Sequence, residues 1–407
     1  MPMMTKFHFP FRHVLIALCL IIIPATQCQA LDVDSLRKHL GPADGMVVSA
    51  PDNTITFSHN ADAKLIPAST LKVLTALAAF HYLGEDYRFK TEFYLDPNSN
   101  LKIKGYGDPL LISEVIADIC ASLLQILGGA SPNVTDLILD ASYFDRSVII
   151  PGVTDSSEPY DAPNGALCVN FNTVNFKSDQ GRTVSAEPQT PLLPMTLNRI
   201  KKSGLAHGRI TLSHQKNELT MYAGHLFKYF LEQNGIRIAG TVRLGVVKPT
   251  DKLILTHRSP FALKQVVAKT MAFSNNFMAN QILIQAGISQ SGPPGTLAKG
   301  VAALQTYARD VHDLANFEIS EGSGISRQNR ISAGNLHRIL QAFKPYYHLL
   351  RQDQEDFHKT GTLYGISTRV GFLGSNPATQ YAYVILCNTP GRSAKMIRLR
   401  LQKILDR

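Results

Sequence analysis

Three short runs in this 407-residue chain set hydroxyls, amines and an amide at spacings suited to acyl transfer. The first is Ser69-Thr70-Leu71-Lys72. One helical turn puts residues three apart on the same face, so the Lys72 amine can reach the Ser69 hydroxyl. The positive end of the helix dipole favours negative charge developing on that oxygen. The S-x-x-K spacing occurs four times, at Ser35/Lys38, Ser69/Lys72, Ser99/Lys102 and Ser213/Lys216. Only Ser69 opens a mostly apolar helical run, just behind Pro67. Ser99 lies in a turn (PNSN), Ser213 in a polar strand-like stretch, and Ser35 has no long apolar helix behind it. Taken alone, Ser69 also reads as an ordinary helix N-cap.

The second run is Ser274-Asn275-Asn276, between helical stretches at 263–271 and 277–285. Its S-x-N spacing recurs at Ser58/Asn60 and Ser131/Asn133. A hydroxyl and an amide inside an apolar helical stretch need a cleft or a polar partner; the plainer alternative is a helix break with solvated side chains. The third run, Lys359-Thr360-Gly361, occurs once and is followed by Thr362. Gly361 allows a strand to lie close to a ligand backbone. Lys359 can hold a carboxylate, and the threonine hydroxyls can donate to it. An ordinary strand start would look the same.

The elements that must position these runs come from both ends of the chain. Short β-rich runs at 46–50 and 54–58 flank the turn formers Pro51, Asp52 and Asn53, which reads as a hairpin. A helix rich in Ala and Leu follows at 70–83, with Gly84 as its stop. Near the C-terminus, 359–363, 368–373 and 381–387 read as strands, and 393–405 as a last helix. Two strands from the start and three from the end predict one shared sheet. The middle differs. From 93 to 216 it carries short β-rich runs, a helix at 117–127 and Pro-containing loops, and it reads as an insert. A helix at 223–233 is expected to return the chain to the first domain. The predicted segments are 1–30, 31–92, 93–216 and 217–407.

Composition bounds the function. Hydrophobic residues make up 44% and charged residues 18%, enough for a real core and too apolar for a disordered chain. Residues 1–30 read as a secretory signal peptide: Lys6 and Arg12, an apolar run at 14–23, and a small-residue cleavage site ending at Ala30. That run is short for a membrane span, which takes ~20 residues. A lipid attached at Cys28 is disfavoured by Gln27. The expected location is therefore periplasmic. Downstream cysteines are Cys120, Cys168 and Cys387, an odd number with no metal-ligand spacing, and no H-E-x-x-H occurs. The net charge of +10 is dispersed, which argues against nucleic acid. Its densest stretch is the C-terminal tail, with Lys395, Arg398, Arg400, Lys403 and Arg407, where weak contact with a membrane or an anionic wall surface competes with simple packing on a sheet.

Together, in the order S-x-x-K, S-x-N, K-T-G, the runs form the set described for penicillin-binding proteins and related β-lactamases. The chain resembles the class C low-molecular-mass penicillin-binding proteins, the D-alanyl-D-alanine carboxypeptidase/endopeptidase family. Gly105 to Pro109 (GYGDP), 137–145 (LILDASYFD), 160–175 (YDAPNGALCVNFNTVN) and 321–332 (EGSGISRQNRIS) resemble segments of that family. Asn275 departs from the S-D-N form, and Phe273 stands where the family often has lysine. The resemblance implies an α+β fold: a transpeptidase-like, serine β-lactamase-like domain with an antiparallel sheet flanked by helices, plus a large inserted β-rich domain. It implies Ser69, Lys72, Ser274 and Asn276 as catalytic residues, and Lys359, Thr360, Gly361 and Thr362 as substrate-binding residues. It further implies peptidoglycan stem peptides as substrate, β-lactams as acylating inhibitors, and no metal or organic cofactor. A β-lactamase and a non-catalytic wall-binding scaffold are the alternatives.

Overall fold

A computed structural model describes residues 33–128, 133–145 and 148–406. The expected leader, 1–30, lies outside the described residues. No helix among the described residues is long and apolar enough to cross a membrane.

The two ends of the chain do share a sheet. Its six strands run in the order Arg351–Asp353, Asp356–Leu363, Ile366–Leu373, Tyr381–Cys387, Asp44–Ser49 and Ile55–His59. Every neighbouring pair is antiparallel. The first predicted hairpin and the last three predicted strands are all present, and Arg351–Asp353 adds a short edge. Alternation along a strand sends successive side chains to opposite faces. Val47, Val370, Val384 and Leu386 enter one core, built with helices Lys72–Leu83, Leu263–Phe273, Asn276–Ser291, Leu297–His312 and Ala333–Ala342. Met46, Val48, Tyr383 and Ile385 enter a smaller core on the other face, under Ile397 and Leu401 of the last helix, Ala394–Leu405. That helix thus buries its apolar stripe on the sheet.

The middle of the chain forms a second core. A five-stranded mixed sheet runs Val242–Leu244, Leu137–Asp140, Leu101–Gly105, Arg88–Leu95, Lys252–Ala262. The helices Ser113–Leu127 and Lys216–Gln233 pack on it, and Phe93 meets Phe227 edge-on at 5.7 Å. A three-stranded sheet of Thr173–Asp179, Arg182–Ser185 and Gly208–Thr211 lies within the same stretch of chain. The sequence reading closes the insert at 216 and sends the next helix back to the first domain. The structure differs: Tyr222, Ala223, Leu226, Phe227 and Leu231 all enter the second core, and the strands of its sheet continue to Ala262. An apolar helical stripe shows that a face will be buried but not against which partner. Cys120, Cys168 and Cys387 are buried free thiols.

Candidate active site

Ser69 does not open an α-helix. It sits in a 3-10 turn, Ala68–Leu71, and the α-helix begins at Lys72. No side chain caps the turn, so the N-cap alternative for Ser69 does not hold. Ala68 has φ +47°, a left-handed conformation unfavourable for a residue with a side chain. Strain of this kind persists only where the surroundings impose it, and here they are tight. An added Cβ on Gly324 would lie 1.8 Å from the Ala68 carbonyl oxygen. One on Gly361 would lie 2.7 Å from the Ser69 nitrogen and 2.4 Å from Thr368 Oγ1. Only glycine lets the Lys359 strand and the Gly324 loop approach the turn this closely.

The turn still brings Lys72 to Ser69. Lys72 Nζ lies 2.9 Å from Ser69 Oγ, 2.7 Å from Asn276 Oδ1 and 2.7 Å from the Ser323 carbonyl oxygen. The side chain is only 1% exposed. Burial pushes its pKa well below the usual lysine value, the nearby charge of Lys359 pushes the same way, and Glu321 opposes both.

Ser274 ends the helix Leu263–Phe273 in a left-handed conformation, φ +51°. Asn275 then caps the next helix, accepting the Met278 N–H at 2.9 Å. This break faces the Lys359 amine. Ser274 Oγ lies 2.7 Å from Lys359 Nζ, and Asn276 Nδ2 donates to the Tyr160 carbonyl at 3.2 Å. Lys359 is 2% exposed, and burial lowers its pKa to about 7. Lys359 Nζ also donates to the Thr360 carbonyl.

Lys359, Thr360, Gly361 and Thr362 occupy one strand, Asp356–Leu363. Gly361 is buried against the Ser69 turn, whereas Thr360 and Thr362 are exposed. The short neighbour Arg351–Asp353 pairs only as far as His358. Beyond it, among the described residues, the run carrying these four residues is paired on one side only, by Ile366–Leu373. An unpaired strand edge is a template for an extended peptide.

Two contributors carry no distinctive spacing of their own. The Tyr160 and Ser323 carbonyls act through the backbone, so residue type gives no signal for them. Glu321, fully buried, gathers the loop around Ser323. Both loops fall in stretches already noted for their resemblance to the family, at 160–175 and 321–332.

Residues 29–215 and 193–348 match the D-Ala-D-Ala carboxypeptidase 3 (S13) family. A D-alanyl-D-alanine carboxypeptidase of Actinomadura sp. (strain R39) is 26% identical over 365 residues, covering 76% of this chain and 66% of the relative. A Mycobacterium tuberculosis carboxypeptidase is 25% identical over 331 residues, 77% of this chain and 63% of its own length. The chain thus spans just under two thirds of these two relatives. The crystal structure of penicillin binding protein 4 (dacB) from Haemophilus influenzae superposes with a TM-score of 0.72 at 19% identity, covering 92% of this chain and 98% of that one. Bd3459, a predatory peptidoglycan endopeptidase from Bdellovibrio bacteriovorus, superposes with a TM-score of 0.51 at 15% identity, covering 89% and 90%. At these identities the superpositions establish a shared fold. Matched in sequence along most of its length, the chain belongs to the D-Ala-D-Ala carboxypeptidase 3 (S13) family.

Proposed function

We propose that the protein is a serine D-Ala-D-Ala carboxypeptidase/endopeptidase that acts on peptidoglycan stem peptides through an acyl-enzyme on Ser69. The observation that carries this is the environment of Lys72. A neutral amine has two N–H groups and one lone pair. The Asn276 Oδ1 and Ser323 carbonyl oxygens can only accept, so they take the two N–H groups. The lone pair is left facing the Ser69 hydroxyl, which can donate. An ordinary lysine is protonated at neutral pH and is a poor base; the depressed pKa removes that obstacle.

Ser69 Oγ attacks the carbonyl carbon between the two terminal D-Ala residues as its proton passes to Lys72. The backbone N–H groups of Ser69 and Thr362 hold the oxyanion. The C–N bond breaks as Ser274 passes a proton to the leaving amine, and water then releases the acyl group. Asn276 holds Lys72 and a substrate amide. Lys359, Thr360 and Thr362 bind the terminal carboxylate, while the substrate backbone lies along the open strand edge. β-Lactams acylate the same hydroxyl by presenting a similar amide and carboxylate. The complex of the Haemophilus protein with a β-lactam supports this reading by kinship. The leader at 1–30 and the wall substrate together support export to the periplasm with cleavage after Ala30.

Mass spectrometry of the intact processed chain with and without penicillin tests the proposal. A single adduct mapping to Ser69, together with D-Ala release from a D-Ala-D-Ala peptide, is the expected result. No adduct and no released D-Ala would overturn it in favour of a non-catalytic scaffold.

A further inference from the structure

Glu321 stands where three parts of the pocket meet. Its fully buried carboxylate accepts six hydrogen bonds. Asn280 Nδ2, Asn329 Nδ2 and Ser323 Oγ donate from 3.1, 2.7 and 2.6 Å. The backbone N–H groups of Ser323, Gly324 and Ser326 donate from 2.6, 2.7 and 3.3 Å. A desolvated carboxylate is costly unless it is richly hydrogen-bonded. Here donors from a loop and a helix meet that requirement, and no cation pairs with Glu321 among the described residues.

The loop wrapped around this carboxylate touches the Ser69 turn, the Lys72 helix and the Asn276 helix. The Ser323 carbonyl takes an N–H of Lys72, and the Gly322 carbonyl takes the Thr75 hydroxyl at 2.7 Å. Lys72 and Thr75 are one turn apart on one helix. Asn280 closes the other side: its Oδ1 takes the Gly322 N–H at 2.8 Å, and it lies one turn beyond Asn276. Gly324, at φ +84°, packs against Ala68 beside Ser69. Residues three and four apart share a helix face, so the loop bridges the catalytic face of one helix to that of the other.

We propose that Glu321 is a positioning residue for acyl transfer: it folds the 320–326 loop so that the Ser323 carbonyl holds one N–H of Lys72, and it sets the Lys72 helix in register with the Asn276 helix. The proposal rests on the reading of Ser69 as the acylated residue. The charge of Glu321 supplies a second, separable effect. Lys359 and Glu321 are the charged groups acting on Lys72, and Glu321 is the one that favours its ammonium form.

The test is the rate of acylation by a fluorescent penicillin, measured to saturation and across pH, in the full processed chain. Wild-type labelling at Ser69 comes first; its absence would remove the parent reading before any variant is made. Glu321→Gln keeps the shape, removes the charge, and turns one acceptor into a donor facing other donors. Its limiting acylation rate falls roughly 10- to 100-fold, while the dissociation constant of the pre-covalent complex changes little. The acid limb of its pH profile moves to lower pH, because Lys72 loses the charge that favoured its protonation. Glu321→Asp recovers part of the rate and leaves the limb in place. Asn280→Ala lowers the rate without moving the limb. A wild-type rate and limb in Glu321→Gln would overturn the proposal. If near-ultraviolet circular dichroism shows Glu321→Gln unfolded, Asn280→Ala decides, and a wild-type rate there overturns it.

Discussion

Two S-x-x-K lysines are buried among the described residues, one beside Ser69 and one in the middle sheet, and their surroundings are opposite. Lys102, in the middle sheet, is 4% exposed and lies 2.8 Å from Asp251 and 3.8 Å from Asp96. Lys72 is equally buried, yet its contacts are a hydroxyl, an amide and a carbonyl, with a second lysine nearby. Carboxylates in contact neutralise a buried ammonium. Neutral acceptors beside another cation favour the free amine. The same S-x-x-K spacing therefore builds a structural ion pair in one place and the makings of a base in the other. What separates them is the charge brought by distant strands and loops.

Removing each of the two lysines in turn is the strongest way to break this contrast. Lys72→Ala should lower acylation by penicillin roughly 10²- to 10⁴-fold, the range expected for losing a general base. Lys102→Ala should leave acylation of the folded protein unchanged. It strands the side chain of Asp251, 1% exposed, without its cation, and breaking a buried pair from one side costs about 3–5 kcal/mol. Denaturant unfolding and penicillin labelling of both variants read the two effects. Normal labelling of Lys72→Ala, or lost labelling in a stable Lys102→Ala, would contradict the comparison.

The pocket depends next on how closely the Lys359 strand meets the Ser69 turn. In Gly361→Ala the new methyl would lie 2.4 Å from Thr368 Oγ1, 2.7 Å from the Ser69 nitrogen and 2.9 Å from Ala68 Cβ. Overpacking of this kind costs about 1–3 kcal/mol. Because the strand and the turn must part, acylation should fall as well, unlike in Lys102→Ala. Loss of stability with unimpaired acylation would show that the close approach serves packing alone.

Much of this arrangement is legible from residue types. The Ala- and Leu-rich run behind Pro67 reads as a helix, the β-rich ends read as strands, and their sum reads as one sheet. A helix break at Ser274 is also among the readings the sequence offers, since a hydroxyl and two amides interrupt two apolar helical runs. Other features are not legible. The amphipathic stripe of Lys216–Gln233 is the same whether it packs on one core or the other. The 3-10 turn at Ser69 packs against a loop and a strand that Gly324 and Gly361, hundreds of residues away, allow to come close. Glu321 has no periodicity to announce it, because the cup of N–H groups around it exists only once the loop has closed. The Tyr160 and Ser323 carbonyls contribute chemistry that any residue carries.

The contrast also has a signature in stability against pH. Lys359 titrates at about 7 in the folded chain and near 10.4 unfolded. Between those values the unfolded chain holds more protons, so stability rises with pH by about 1 kcal/mol per unit from this group; Lys72 adds in the same direction. The buried thiols oppose it. Cys168 and Cys387 are pushed up to about 12 and Cys120 is raised as well, so above about pH 8.5 the unfolded chain sheds protons that the folded chain keeps. The melting temperature should climb from pH 7, pass through a maximum at about pH 8.5 to 9 as the unfolded thiols ionise, and then fall, because three thiols outweigh two amines. In Lys359→Met the climb should be shallower. A wild-type melting temperature that falls from pH 7 to about 8.5 would mean that the pocket lysines remain charged.

The smallest effect is expected at Asn275, and it tests how local the charge requirement is. Asn275 touches neither lysine; its side chain caps the helix that starts at Asn276. Asp and Asn are equally good caps, and a carboxylate at a helix N-terminus gains a little from the dipole. Asn275→Asp should therefore leave unfolding free energy within about 0.5 kcal/mol of wild type, whereas Asn275→Ala should lose about 1 kcal/mol. The acid limb of acylation should stay where it is in both. If Asn275→Asp moved that limb upward, the added carboxylate would be acting on Lys72 or Lys359 from outside their contacts. The free-amine character of the pocket would then depend on excluding carboxylates from a wider shell than the one described.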